Sequence, residues 1–535
     1  MISIDQNCHT LWDVVPKLQA ISRKGIAVTQ YVEDIDVAFT SMGSDVHAPT
    51  LRLERERYYR SGGADWGAAL FYSEFLGRLP LDVRALEPYT GLKSDVLARQ
   101  LGVSLDELYD RLSGGDNWQL IGPSYVGDRR HHRTIGDVSI KKVAPFVRQV
   151  LQLAQDDCRR CFPQEASRRR VDEWFARERA RVEELLTGDI AALDQLYFRW
   201  LEQCCSGCQV TIANASSLFG PGDNCGDELL RLFLDDYSRL ADLYNQAIEE
   251  SRVGLRLLKK ADGELPFFGA YEYQDHYVRS QAFIDGPGVR FDDHAFSLNA
   301  DGTVPYDQMR RSGFYALSPK AILLVLQVRM GPKGRALALP YHGSIYMPAA
   351  FRLQSLLERE GLLTREVKPV NRVRFHFLDR LKELDTVICL PEHLVWYFGR
   401  QEIPAREVGH NWQSIQEQAR GRLESFRDPA MRRQWQDRQM GDLSRGIQEL
   451  DARRRELAKG DQKNPELREI WKRIKPLQLD QLRGLLEQVA RDWQASQIDY
   501  WDSRGALLPW AVALGGERFY DQLLDRAEIY EDRAT

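Results

Sequence analysis

The 535 residues exceed what one hydrophobic core usually supports, and 43% apolar with 28% charged residues excludes a mainly disordered chain. A formal net charge of -5 gives no global attraction to nucleic acid, so nucleic acid is not an expected partner. The N-terminal MISIDQNCHTLWDVVPKLQ lacks the basic start, apolar core and cleavage site of a signal peptide, and the most apolar stretch, Ala321 to Val328, falls well short of the roughly 20 residues of a membrane helix. A cytoplasmic protein without membrane contact is expected.

In chain order, GIAVTQYV (25–32) is rich in β-branched residues and reads as a strand, whereas VDEWFARERARVEELL (171–186) carries apolar positions at helical spacing. CQVTIANASSLFGPGDN, from Cys208, reads as a strand, a small polar loop and a Gly-Pro turn. ELLRLFLDDYSRLADLYNQAIEE then reads as one strong helix. GELPFFGAYEY, KAILLVLQV, RALALP and DTVICLP supply four further strand signals, several of them separated by helical runs. Buried parallel strands read as such continuous apolar runs, so the pattern predicts a mostly parallel sheet flanked by helices. Past His410 the composition turns to Gln, Arg, Glu and Asp, with Leu443, Ile447, Leu450 and Leu457 at three-four spacing. Gly460 and Pro465 interrupt the helix, and Leu482, Leu485, Leu486, Val489 and Trp493 restart the stripe, which predicts a long antiparallel helical hairpin serving either dimerisation or cover of a site. The last segment, ALLPWAVALGGERFYDQLLDRAEIY, is apolar enough to fold back and seal a sheet edge or helix layer.

These readings give an α/β fold in four parts: a mixed α/β region over 1–205, a core over 206–409, the hairpin over 410–500 and a returning segment over 501–535. In open α/β sheets ligands bind beyond the carboxyl ends of strands, where loops present backbone N–H groups. Three segments have that anatomy. Asn214, Ser216 and Ser217 offer amide and hydroxyl groups that either hold a phosphate or carboxylate, or cap and turn the chain. Asp275 and His276 form the one concentrated acid-imidazole run. Tyr341, His342 and Ser344 place an imidazole beside a hydroxyl at a strand end, where the histidine serves as acid or base or is simply satisfied by carbonyls.

A fourth feature is the basic run Arg129 to Arg133, in which Arg130 and Arg133 follow a glycine-containing loop suited to gripping an anion, although such runs are commonly solvated. The eight cysteines include two clusters, Cys158/Cys161 and Cys204/Cys205/Cys208. Each supplies half of a zinc site or buried free thiols. The scattered histidines form no metal motif, so no metal is expected. No motif names a cofactor, and a nucleotide is the class the strand-end anatomy admits.

The order of segments resembles the cysteine-adding enzymes of bacillithiol synthesis. Thr211-Ile-Ala-Asn-Ala-Ser-Ser-Leu218-Phe219-Gly220-Pro221 is similar to that family's early loop, Leu265-Pro266-Phe267-Phe268 with Asp275-His276 to its next strand and acidic-histidine run, and Leu339 to Ser344 to its later strand and loop. The resemblance implies a Rossmann-like core over 206–409 carrying a coiled-coil hairpin, and a ligase-type activity joining an amino acid or acyl donor to an amine. His276, His342 and Asp275 are then the catalytic candidates, with Asn214, Ser216, Ser217, Ser344, Arg130 and Arg133 holding substrate or anion. The rival expectation is a non-catalytic ligand-binding or assembly protein that uses the charged hairpin for partners or for a homodimer.

Overall fold

A computed structural model describes every residue except 6–10, 37–68, 72–75, 77–80, 82, 106, 109–111, 113–117, 120–124, 129, 221–225, 254, 332, 343, 345, 503–506 and 533–535. Cys8, Arg129, Pro221, Gly222 and Cys225, which carried parts of the sequence reading, lie outside the described residues.

The main sheet has six strands: β1 (Ile2–Asp5), β2 (Val28–Val32), β6 (Val210–Asn214), β12 (Leu337–Pro340), β13 (Val370–Arg374) and β16 (Glu528–Asp532). Their spatial order is β16-β13-β12-β1-β2-β6, with all neighbours parallel except the antiparallel edge pair β13/β16. Counted along the chain, the six strands stand in the order 3-2-1-4-5-6. The expected mostly parallel α/β sheet is thus present, and it draws strands from both sides of the 206–409 segment.

Period-two alternation along these strands separates two cores. Ile2, Ile4, Leu337, Leu339 and Val370 enter one apolar cluster, whereas Val28, Val32, Ala338 and Val373 enter the other. The second cluster packs against α1 (Leu11–Arg23), α2 (Ile140–Arg160), α3 (Glu165–Thr187) and α4 (Leu193–Cys204). The first packs against α5 (Gly226–Asp235), α6 (Tyr237–Ser251), α7 (Ala321–Gln327) and α8 (Met347–Arg359).

On the first side also lies an antiparallel sheet of β7 (Glu264–Tyr273), β8 (His276–Asp285), β9 (Gly288–Phe291), β10 (His294–Ser297) and β11 (Phe314–Pro319), in the order β10-β9-β8-β7-β11. β5 (His132–Arg133) pairs with β8. Two small antiparallel pairs complete the strands: β3 (Ala69–Phe71) with β4 (Trp118–Gln119), and β14 (Val387–Cys389) with β15 (Glu402–Pro404).

Several elements differ from expectation for identifiable reasons. KAILLVLQV is mostly helix α7, not a strand: Ile322 to Leu326 are all buried, and a short all-apolar run fits a helix buried on every side as well as a central strand. The strong helix over 228–250 is two helices, because Asp236 leaves helical dihedrals (φ -143°, ψ 68°) and caps α6 by accepting the Arg239 N–H at 3.3 Å. GELPFFGAYEY and DTVICLP form strands, but in the antiparallel sheets.

The hairpin is present. From α9 (Ala405–Phe426) the chain passes through a helix at Pro429–Gln439 into α10 (Gly441–Gly460) and α11 (Pro465–Ser496). Ser444 Oγ accepts the Gln481 side-chain amide at 2.9 Å and Arg453 pairs with Glu466, which sets the arms antiparallel. Their base packs on α9 and on Val83, Leu86, Leu97 and Leu108. α12 (Leu507–Arg526), broken at Gly516 (φ 76°), returns against α1 and α3, and β16 then covers the outer edge of β13. The last segment thus packs on a helix layer and pairs with a sheet edge.

Candidate functional site

Five parallel strands end along one edge of the main sheet at Asn214, Val32, Asp5, Pro340 and Arg374. The chain builds outward from β1 in one direction through β2 and β6, and in the other through β12 and β13. That reversal makes a switch point between Asp5 and Pro340, where the crossover connections part to opposite faces of the sheet.

Over β12 and β13 a polar centre occupies this edge. His342, two residues past β12, places Nε2 3.2 Å from Asp499 Oδ2. Asp499 is 7% exposed and belongs to the turn Ile498–Asp502 that follows α11. Burial pushes its carboxyl up, but His342, Arg420 and Gln416 outweigh burial and hold it below the usual carboxylate range. Arg420, one helical turn beyond Gln416 on α9, lies 3.6 Å from Asp499. Tyr341 stacks obliquely on His342 at 4.3 Å and lies under the Arg374 guanidinium at 4.4 Å. Arg374 in turn donates to Asp502 at 3.0 Å, and His376 pairs with Glu528. Ser344 takes a left-handed conformation (φ 60°) just before α8.

A second centre lies over β2 and β6. Asp34, 8% exposed, accepts the Ser216 backbone N–H at 2.9 Å. The segment Thr134–Asp137 threads beside it, with the Ile135 and Gly136 amides donating to the Asp36 and Asp34 carbonyls. Asp194 is 6% exposed, and its carboxyl is pushed up to about 6, by burial first and by the Asp34 charge second. At the far end of the same segment Asp137 accepts from Arg133 at 2.6 Å and pairs with His276 Nδ1 at 3.1 Å. Arg279 pairs with Asp36 at 2.6 Å. Burial and the Arg279 charge hold the His132 imidazole down to about 4.

The structure thus divides the expected residues between two centres. Ser216 and His276 share the second, whereas His342 and Ser344 belong to the first. Three inter-strand steps from β6 to β12, at about 4.8 Å each, separate them by roughly 14 Å. A shared wall of Ser216, His276 and His342 is not formed.

Several assignments change with this geometry. The Ser216 N–H faces a buried carboxylate, which disfavours an anion there, and the Ser217 hydroxyl donates to the Asn214 carbonyl at 2.6 Å, closing the turn. Arg130 is engaged by Asp128, Asp292 and Asp293, and Arg133 by Asp137, so the basic run is neutralised internally. Gln274 and Asp275 both have positive φ (51° and 61°) and form the two-residue turn joining β7 to β8. Asp275 is a hairpin residue at the tip of that turn.

The cysteines read as packing. Cys158 is fully buried with its thiol pushed up by burial, and among the described residues no group of three or more His, Cys, Asp or Glu side chains is arranged to hold a metal ion. No helix among the described residues is long and apolar enough to cross a membrane.

Sequence reasoning missed Asp34, Asp194, Arg420 and Asp499. Two signals were present: the acidic run Glu33-Asp34-Ile35-Asp36 directly after a strand, and the acidic-aromatic run Asp499-Tyr500-Trp501-Asp502 directly after the hairpin. No family model matches the chain, and no curated protein matches it.

Proposed function

We propose that the chain is a small-molecule enzyme with a Rossmann-like core, whose substrate lies in the crevice between the ends of β1 and β12 and whose acid/base group is His342. The observation that carries this reading is the His342–Asp499 pair at the switch point. A buried carboxylate bonded to one imidazole nitrogen fixes the orientation of the ring, leaving Nδ1 for a substrate. Arg420 beside the pair supplies positive charge for an acidic substrate group. The 3-2-1-4-5-6 strand order supports the core assignment, since that order places ligands at this point of a sheet.

The reaction class follows the resemblance in segment order. An amine nitrogen attacks the acyl carbon of an amino acid or other acyl donor, the bond to the leaving group breaks with its electron pair, and the amine proton passes to His342. An activated donor, or a nucleotide that activates it, supplies the driving force. The test incubates the full chain with pooled amino acids, acyl thioesters and amines, with and without ATP, and follows condensation by mass spectrometry. A new amide that falls by roughly 10²-fold or more in His342→Ala is expected for a general acid/base. No amide from any pool, or an undiminished rate in His342→Ala, would end the reading.

A second reading, assembly through the hairpin, is favoured by Trp471 on α11 and Met431, which are 45% and 44% exposed.

A further inference from the structure

A cavity of about 190 Å³ lies between α1, α3, α4 and α12, on the helical face of the main sheet and away from both polar centres. Its walls come from helical periodicity. Trp174, Arg177, Glu178 and Arg181 share one face of α3 at successive three- and four-residue steps, and Trp12 and Gln19 face them from α1. The Trp12 and Trp174 indoles meet edge to face at 5.0 Å, giving the cavity an aromatic wall.

An account of the polar groups identifies the chemistry the cavity accepts. Glu178, 3% exposed, is already supplied with donors: its carboxylate accepts the Trp200 indole N–H and Arg181 Nη1 at 2.6 Å. Gln19 is committed on both sides, donating to the Cys204 carbonyl at 3.0 Å and accepting from the Tyr520 hydroxyl at 2.7 Å. The guanidiniums keep capacity. Among the described residues, Arg181 donates through Nη1, to Glu178 and to the Cys204 sulfur at 3.2 Å, and Arg177 through Nη2, to the solvated Glu517 at the rim.

The capacity that remains on these side chains is donor capacity carrying positive charge. A cationic ligand meets two arginines and two carboxylates, Glu178 and Glu517, each already paired with one of those arginines, so the aromatic wall does not select an amine. An acid meets an open guanidinium fork in a partly dry setting, where charge-assisted hydrogen bonds are strong. The volume lies below the roughly 300 Å³ at which drug-sized sites begin, which limits the ligand to about one ring.

We propose that this cavity is a binding site for a small aromatic carboxylic acid, with the carboxylate on Arg181 and the ring against Trp12 and Trp174. The assignment absorbs Cys204, which lines the cavity as a neutral thiol and not as half of a zinc site.

The test titrates the full chain with benzoate and phenylacetate, and with benzamide and benzylamine as neutral and cationic counterparts, read by calorimetry and by tryptophan fluorescence. At least one acid is expected to bind saturably with quenching, tenfold or more tighter than either counterpart. Arg181→Met is expected to weaken that acid at least tenfold, and His342→Ala to leave it unchanged. The proposal is overturned if no acid saturates, if benzamide or benzylamine binds as tightly, or if folded Arg181→Met binds normally. Should Arg181→Met fail to fold, the ranking of ligands on the unaltered chain decides alone.

Discussion

Asp194 shows most directly how burial sets chemistry at single residues. Its carboxyl is pushed up to about 6 from an ordinary 3.8, and Asp34 moves in the same direction through burial. The folded protein therefore takes up these protons at higher pH than the unfolded chain. The stability they contribute is present below about pH 4 and is lost as pH rises through about 6, on the order of 3 kcal/mol for Asp194. Asp194→Asn removes that dependence while keeping an acceptor. Melting followed by scanning fluorimetry is expected to show the variant more stable than the parent at pH 7.5, with the gap closing towards pH 4.5. A gap that stays constant with pH would mean that Asp194 titrates normally.

Little of this was legible residue by residue, because composition shows which side chains are present but not which are buried together. His342 and Ser216 sit at correctly identified strand ends, yet each is held by a carboxylate (Asp499 and Asp34) that is distant in sequence or drawn from another strand end.

Among the elements, the periodic signals read well where one face is buried and the other solvated. The helix read over 171–186 and both hairpin arms are present, and the strand read over 25–32 is formed by Val28–Val32. The failures are elements buried on all sides, such as α7, and strands whose apolar runs pair locally in antiparallel sheets, such as β7 with β8 and β14 with β15, where the run reads the same as a buried parallel strand. β1 and β13, both in the main sheet, mix apolar with polar residues (ISID and VNRVR) and lack the continuous apolar run that marked β12.

Helix α9 offers a direct test of tertiary packing against intrinsic propensity. Gly421 has nothing within 4 Å of an added Cβ, whereas a Cβ on Gly409 comes to 3.0 Å from Lys382 Cα and closer still to neighbouring backbone. Gly421→Ala is expected to stabilise by up to about 1 kcal/mol through helix propensity. Gly409→Ala is expected to destabilise by about 1–3 kcal/mol or more, since backbone cannot move aside as a flexible side chain can. Chemical denaturation of the two variants checks this, and equal effects would contradict the packing of α9 on residues 381–382.

At the scale of the whole molecule, the hairpin has two parts with separable roles. Its base supplies Gln416, Arg420 and Asp499 to the His342 centre and carries Leu485, Leu486 and Val489 into a core. The distal arms beyond Ser444 and Gln481 project from that base, and because these two side chains are bonded at 2.9 Å, residues 445–480 can be excised and the ends joined by a short glycine linker. The shortened chain is expected to melt within a few degrees of the parent and to keep every property that depends on His342. Loss of self-association measured by light scattering, with ligand binding retained, would assign the arms to assembly and the base to the site. Loss of binding as well would contradict that division.

The central claim is that the switch point between β1 and β12 holds a small molecule against His342. The most direct measurement is a thermal-shift screen of amino acids, acyl compounds and nucleotides on the parent, His342→Ala and Asp499→Asn, because a ligand that binds only the folded state raises its melting temperature. We predict at least one compound that stabilises the parent and loses most of that effect in both variants. Stabilising compounds that act equally on all three proteins, or none at all, would contradict the claim.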